Sequence, residues 1–106
     1  MQRQSLMRYQ VWINDEAKTE IIRLPGHIRQ RIRRAIQDLG DEPRPHYSHQ
    51  MRAPEGVTLE VRRLRLERWR VVYIVDEEWS EVGVLAVRKR PPYDYKDLSA
   101  LLERLE

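Results

Sequence analysis

The rhythm of apolar and polar positions changes along the chain, and each rhythm specifies an element. Residues 7–13 alternate, with Met7, Tyr9, Val11 and Ile13 on one parity and Arg8, Gln10 and Trp12 on the other. A period of two marks a half-buried strand. Asn14-Asp15-Glu16 then supplies a helix N-cap and acid for the first turn. Ala17, Ile21 and Leu24 fall on one face of that helix, and Pro25-Gly26 ends it. A second helix has the cleanest period in the chain. Ile28, Ile32, Ala35, Ile36 and Leu39 share one face, Arg29, Arg31, Arg33 and Arg34 occupy the others, and Gly40 stands at the expected C-cap. The two helices form a hairpin whose apolar faces should cover one side of a sheet.

The sheet is written in residues 57–90. Polar breaks at Glu67-Arg68 and Asp76-Glu77-Glu78 leave three apolar-rich runs, close enough that only hairpins can join them. The second run (69–75) and the third (82–87) are apolar on both parities, as in central strands covered on both faces. The first run changes parity: Leu59 and Val61 share one, Leu64 and Leu66 the other. Keeping all four on one face requires an extra residue, so a β-bulge is expected at Arg62-Arg63, turning arginine outward with Arg65 on the face opposite the core. The alternative is a twisted strand end with solvated charges. Residues 41–56 read as a long polar connection, punctuated by Pro43, Pro45 and Pro54 and carrying His46, Tyr47, His49, Met51 and Arg52. Leu98, Leu101, Leu102 and Leu105 have helical spacing, with Asp94 or Asp97 as cap. The expected fold is a single α+β domain over residues 1–106: N-terminal strand, two-helix hairpin, antiparallel three-strand meander and short C-terminal helix.

Charge changes the picture locally rather than on average. The formal net charge is only +3, yet 35% of residues are charged. Of the 20 basic side chains only Lys18, Lys89 and Lys96 are lysine; the rest are arginine. A genome-wide bias or heat adaptation can raise arginine overall. The clustering of Arg62, Arg63, Arg65, Arg68, Arg70, Arg88 and Arg90 in the meander is harder to explain that way. A guanidinium offers a planar fork of donors that matches phosphate or carboxylate, so an apolar sheet edged with arginine reads as an anion-binding surface. The absence of cysteine excludes a disulfide framework and a thiolate zinc site, and permits a cytoplasmic setting. His46 and His49 lack a third ligand at suitable spacing, so no metal site is expected. The longest apolar run, residues 71–75, is too short to span a bilayer, and the first five residues lack an apolar signal core.

Several local patterns then resemble one family. Ala17 to Leu24, followed by Pro25 and an arginine-rich helix, resembles the "EA…EI..LP..I+..I" opening of the RelE/ParE toxin superfamily. Pro43-Arg44-Pro45 and Gln50-Met51-Arg52 resemble its connection from helix to sheet. Arg65-Leu66-Glu67-Arg68-Trp69-Arg70-Val71-Val72-Tyr73 is similar to its "R…YRVVY" hairpin, and Val84-Leu85-Ala86-Val87-Arg88-Lys89-Arg90 to its closing "VLxVGKR" strand. The resemblance runs from Tyr9 to about Leu105.

It implies a toxin of a type II toxin–antitoxin pair, with a small, acidic, partly disordered cognate antitoxin as partner. For the RelE-like branch it implies a metal-free, cofactor-free endoribonuclease that cuts mRNA on the ribosome and so inhibits translation. For the ParE-like branch it implies inhibition of DNA gyrase instead.

By resemblance, Arg63 and Arg65 fall where the RelE-like first meander strand has its basic residues. Arg70 matches the arginine of "YRVVY", Arg90 the one ending "VGKR", and the C-terminal tyrosine falls near Tyr93 or Tyr95. Arg52, Arg62, Arg68, Arg88 and Lys89 are the further candidates for RNA contact. Arg88 replaces the glycine of "VGKR", and Pro91-Pro92 stiffens the tail that follows.

The residues fit this chemistry on their own terms. Attack of a 2′-OH on the adjacent phosphate builds negative charge on the phosphoryl oxygens, which fixed guanidinium groups stabilise. Arginine stays protonated and cannot take up the proton. A general base is then expected from Tyr93, Tyr95, His46 or His49, or is weak. Strand order brings Arg70, at the start of the second run, beside Arg90, at the end of the third, with Arg65 across the tight turn from Arg70. On this reading Arg70 and Arg90 are needed for cleavage and not for folding.

Overall fold

The computed structural model describes residues 8–89 together with Ala100 and Leu102. The elements run β1 (Gln10–Ile13), α1 (Asp15–Ile22), α2 (Gly26–Asp38), β2 (Ser48–Met51), β3 (Glu60–Leu66), β4 (Trp69–Asp76) and β5 (Glu81–Lys89). The strands form one sheet in the order β1-β5-β4-β3-β2. β1 is parallel to β5, Gln10 facing Glu81 and Ile13 facing Val84, and the other pairs are antiparallel. The architecture is α+β, with the helical hairpin on one face of the sheet.

The helices end where their sequence requires. Asn14 caps α1, its side chain accepting from the Ala17 amide at 2.9 Å. The carbonyls at the end of α1 take donors from the next helix: Arg29 Nη1 reaches Leu24 O at 3.0 Å and Ile22 O at 3.3 Å. Every member of the two predicted apolar stripes is buried, from Ala17, Ile21 and Leu24 on the first to Ile28, Ile32, Ala35, Ile36 and Leu39 on the second. They meet Leu64, Val71, Tyr73, Val75, Val82, Val84 and Val87 on the helix face of the sheet. Gly40 follows α2 because the chain passes close there: a Cβ would come within 3.1 Å of the Tyr9 carbonyl.

Two expectations are corrected. β3 and β4 keep an unbroken register from Glu60–Val75 to Leu66–Trp69, so there is no bulge at Arg62-Arg63. The parity change is accommodated by burial on both faces. Leu64 and Leu66 face the helices, whereas Val61 and Leu59 join a second core with Val72, Ile74, Leu85, Ala86 and the buried Leu102. The irregularity lies instead in β5: Val72 pairs with Ala86 and Tyr73 with Val84, leaving Leu85 as the extra residue. Leu85 and Ala86 consequently both face the second core. The polar connection of residues 41–56 also contains a strand. β2 extends the meander by one edge, pairing Ser48 with Leu64 and Met51 with Val61. Ala100 and Leu102 are helical, in agreement with a C-terminal helix.

Candidate functional site

Strict alternation along β3 sorts its arginines by face. Arg62 shares the parity of Leu64 and lies on the helix side, opposite Tyr73 in register. Arg63 and Arg65 share the parity of Val61 and lie on the second face. Sheet pairing then sets Arg65, Arg70 and Arg88 abreast on three adjacent strands. Like charges directly opposite repel, so such a row requires compensating acceptors or a bound anion. Two of the three have protein acceptors. Arg70, only 5% exposed, donates from Nη1 to the carbonyls of Glu67 at 2.8 Å and Trp69 at 2.9 Å, clamping the β3–β4 turn. Arg88 Nε donates to Glu20 Oε2 at 3.1 Å, and Glu20 Oε1 also accepts the Val87 amide at 2.8 Å where β5 runs past the end of β1. Arg70 thus carries structural hydrogen bonds, made to main-chain carbonyls, that of Glu67 among them.

Arg63 and Arg65 differ. Neither guanidinium is hydrogen-bonded or ion-paired to another described residue, and Arg63 Nε is buried without a partner. Arg65 is exposed at the sheet surface. β2 adds one further group to this face. His49 pairs with Arg63 across the β2–β3 ladder, so both side chains leave the sheet on the same side. It is exposed, on an edge strand.

The remaining sequence candidates are dispersed. Arg68 is exposed in the β3–β4 turn, and Arg52 is exposed just past β2. Lys89 lies on the opposite face, its ammonium 5.9 Å from the centroid of the Trp69 ring. Arg90, Tyr93 and Tyr95 lie outside the described residues.

Arg62 belongs to a different construction. Its Nε donates to Ser48 Oγ at 3.0 Å and its Nη1 to Glu60 at 2.8 Å. Glu60 also accepts from Arg44 Nη2 at 2.8 Å, Arg44 reaches Glu77 at 2.5 Å, and Glu77 accepts the Tyr9 hydroxyl at 2.7 Å. This chain of charges ties β1, the β4–β5 turn, the connection before β2 and β3 together. Hydrogen bonds from Arg44, then Arg62, hold the Glu60 carboxyl below its usual range. The Glu77 carboxyl is lowered chiefly by the bond from Tyr9, whose own phenol is raised by the same contact. Nearby, the buried Tyr73 hydroxyl donates to the Pro43 carbonyl at 2.6 Å, and burial raises its pKa. None of these links has a spacing that sequence alone could reveal.

An apolar groove of about 470 Å³ opens on the other side of the molecule, between Val11 and Ile13 of β1, Ile21 and Ile22 of α1 and Ile36 of α2. Lys18 and Arg33 stand on its wall. Ile22 is 66% exposed there. Among the described residues no helix is long and apolar enough to cross a membrane, and no cluster of three or more His, Asp or Glu side chains could hold a metal.

Comparison with known proteins agrees with this fold. The archaeal RelE of the RelE–RelB complex from Pyrococcus horikoshii OT3 superposes with a TM-score of 0.70 at 22% identity, over 81% of this chain and 99% of that one. The toxin–antitoxin complex RelBE2 of Mycobacterium tuberculosis gives 0.63 at 26% identity, over 78% of this chain and 92% of the other. The isolated E. coli RelE toxin gives 0.63 at 20% identity, over 92% and 99%. No curated sequence matches significantly. The family model for the ParE toxin of the type II toxin–antitoxin system parDE matches residues 11–91. With that match over most of its length, on a fold shared with RelE, the chain belongs to the RelE/ParE superfamily of type II toxin–antitoxin toxins.

Proposed function

We propose that this toxin is a ribosome-dependent mRNA endoribonuclease that needs no metal and acts by inhibiting translation. The observation that carries the reading is a pair of guanidinium groups, Arg63 and Arg65, without a hydrogen-bond partner among the described residues, on the face where Arg70 and Arg88 stand in register beside them. An in-line attack by a 2′-OH needs fixed positive charge around the phosphoryl oxygens, and an arginine held on a central sheet supplies it without reorganising. Main-chain carbonyls hold Arg70, and the Glu20 carboxylate holds Arg88. Arg63 and Arg65 keep donors that no other described residue takes up, and these are offered to the substrate. Arg52 and Arg68, exposed at the ends of β2 and β3, extend the positive surface along an RNA backbone. The likeness to RelE toxins supports the same reading.

The partner is a small, acidic, partly disordered antitoxin. The apolar groove between β1, α1 and α2, with Lys18 and Arg33 on its wall, fits an apolar segment that carries acidic groups. The solved RelE relatives include complexes with RelB antitoxins.

A second reading is inhibition of DNA gyrase, and the ParE family match favours it. One experiment separates the two. Purified toxin is added to a translating extract, with cleavage sites mapped on the message, and to a gyrase supercoiling assay. Cleavage of translated message with supercoiling unaffected is the expected result. Intact message with supercoiling blocked replaces the ribonuclease reading by the gyrase one.

A further inference from the structure

The cleavage step needs a proton acceptor beside the arginines of this face. Arginine cannot serve, because its guanidinium stays protonated. We propose that His49 is the general base of this site, taking the proton from the attacking 2′-OH; the proposal rests on the ribonuclease reading above.

Three observations point to His49 rather than to the other histidines. It is the Cα partner of Arg63 on an antiparallel ladder, which sets the two Cα atoms about 4.5–5.5 Å apart with side chains on one face. Arg65, two residues along β3, is its diagonal neighbour on that face, within reach of a long side chain. A phosphate held by Arg63 and Arg65 therefore presents its flanking ribose within range of the imidazole. His46 precedes the strand and sets its ring against Tyr47, 5.2 Å between centroids, and Tyr47 packs on the helix face. His27 is on α2, at the far side of the sheet.

The charged side chains of the described residues near His49 on this face are Arg63 and Arg65, with Arg52 three residues further along the chain. Its other neighbour on the strand, Met51, packs into the second core. No described residue hydrogen-bonds its ring, so one nitrogen is available to the substrate. Its edge-strand position leaves the approach open.

The step balances without a co-reactant. The 2′-oxygen bonds to phosphorus as its proton passes to His49, the bond from phosphorus to the 5′-oxygen breaks, and that oxygen takes a proton from water. The products are a 2′,3′-cyclic phosphate and a 5′-hydroxyl. His49 then returns its proton to solvent.

The test uses the full chain in the translating extract, comparing wild type with His49→Gln and His46→Gln as control. His49→Gln should lower the cleavage rate by about 10²–10⁴-fold, with the melting temperature and ribosome binding unchanged. The wild-type rate should rise with pH across the range of about 5–8 where imidazoles titrate, and His49→Gln should flatten that rise. His46→Gln should match wild type. Wild-type cleavage by His49→Gln, or an unchanged pH limb in it, overturns the assignment and leaves the ribonuclease reading standing. A rate that falls with pH over the same range overturns the base role in favour of an acid. A wild-type toxin that cuts no message under any condition overturns both.

Discussion

Arg62 and Arg63 are neighbours on one strand with the same side chain, and they live in different chemistry. Arg62 faces the helices, is 12% exposed at its side chain, and spends its donors on Ser48 and Glu60. Arg63 faces the other way with a buried Nε that no other described residue satisfies. The peptide period of two makes this separation automatic: a run of arginines on a strand is divided between both faces of the sheet, whatever the run as a whole is for. What decides each member's role is the set of acceptors its face supplies. The helix face gives Glu60 and Ser48. On the second face, Arg70 and Arg88 find acceptors at the β3–β4 turn and on Glu20, whereas Arg63 and Arg65 make no hydrogen bond to another described residue.

The largest expected effect lies on the second face. Arg63→Ala and Arg65→Ala should each lower mRNA cleavage by roughly 10²–10³-fold, with little change in melting temperature. An unaltered cleavage rate in both would break the division. Arg62→Ala should do the reverse, lowering stability by about 1.5–3 kcal/mol through lost charged hydrogen bonds while the folded fraction keeps its activity. Chemical denaturation alongside the cleavage assay reads both quantities. Tyr73→Phe, directly beside Arg62 in register, removes the bond to the Pro43 carbonyl and leaves that acceptor buried. A loss of about 1–2 kcal/mol is expected, again without an activity change.

The smallest effect is a matter of pH. Glu60 has its pKa lowered by Arg44 and Arg62, so its stabilising contribution is complete above the ordinary carboxyl value of about 4.5 and disappears as pH falls through the lower, folded value. Glu77, lowered by Tyr9 and Arg44, adds to the same slope. The melting temperature should therefore fall between about pH 4.5 and more acid conditions, and less steeply in Glu60→Gln. Identical acid slopes for the two proteins would show that the charge chain on the helix face does not contribute.

These contrasts explain how far the sequence could be read. The helices were legible because Asn14 marks the start of α1 and the isoleucine stripe of α2 carries a local signal, though α1 ends at Ile22 and α2 is capped by Leu39 rather than Gly40. The central strands were legible because both parities are apolar. β2 was hidden: Ser48-His49-Gln50-Met51 has three polar residues in four and lies at a sheet edge between prolines. The parity change in β3 was visible, but alternation cannot distinguish a bulge from burial on two faces. The bulge that does exist, at Leu85, was masked because its neighbours are apolar on either side. The arginine site was half legible. Residue type located Arg63, Arg65, Arg70 and Arg88 in the meander. Only the three-dimensional arrangement shows that Arg70 and Arg88 have protein acceptors while Arg62 leaves the group altogether.

The parallel pairing of β1 with β5 has a consequence in time. Gln10 finds its partner at Glu81, so the strand made first stays without a neighbour until nearly the whole domain has been synthesised. Val11 and Ile13 can line the groove only once that pairing exists. A nascent chain offers an antitoxin no such surface, however much of α1 and α2 has already formed. On the proposed reading, in which an antitoxin seats in this groove, recognition is a check on completion, engaging the toxin only when the strands that carry its arginines are also in place.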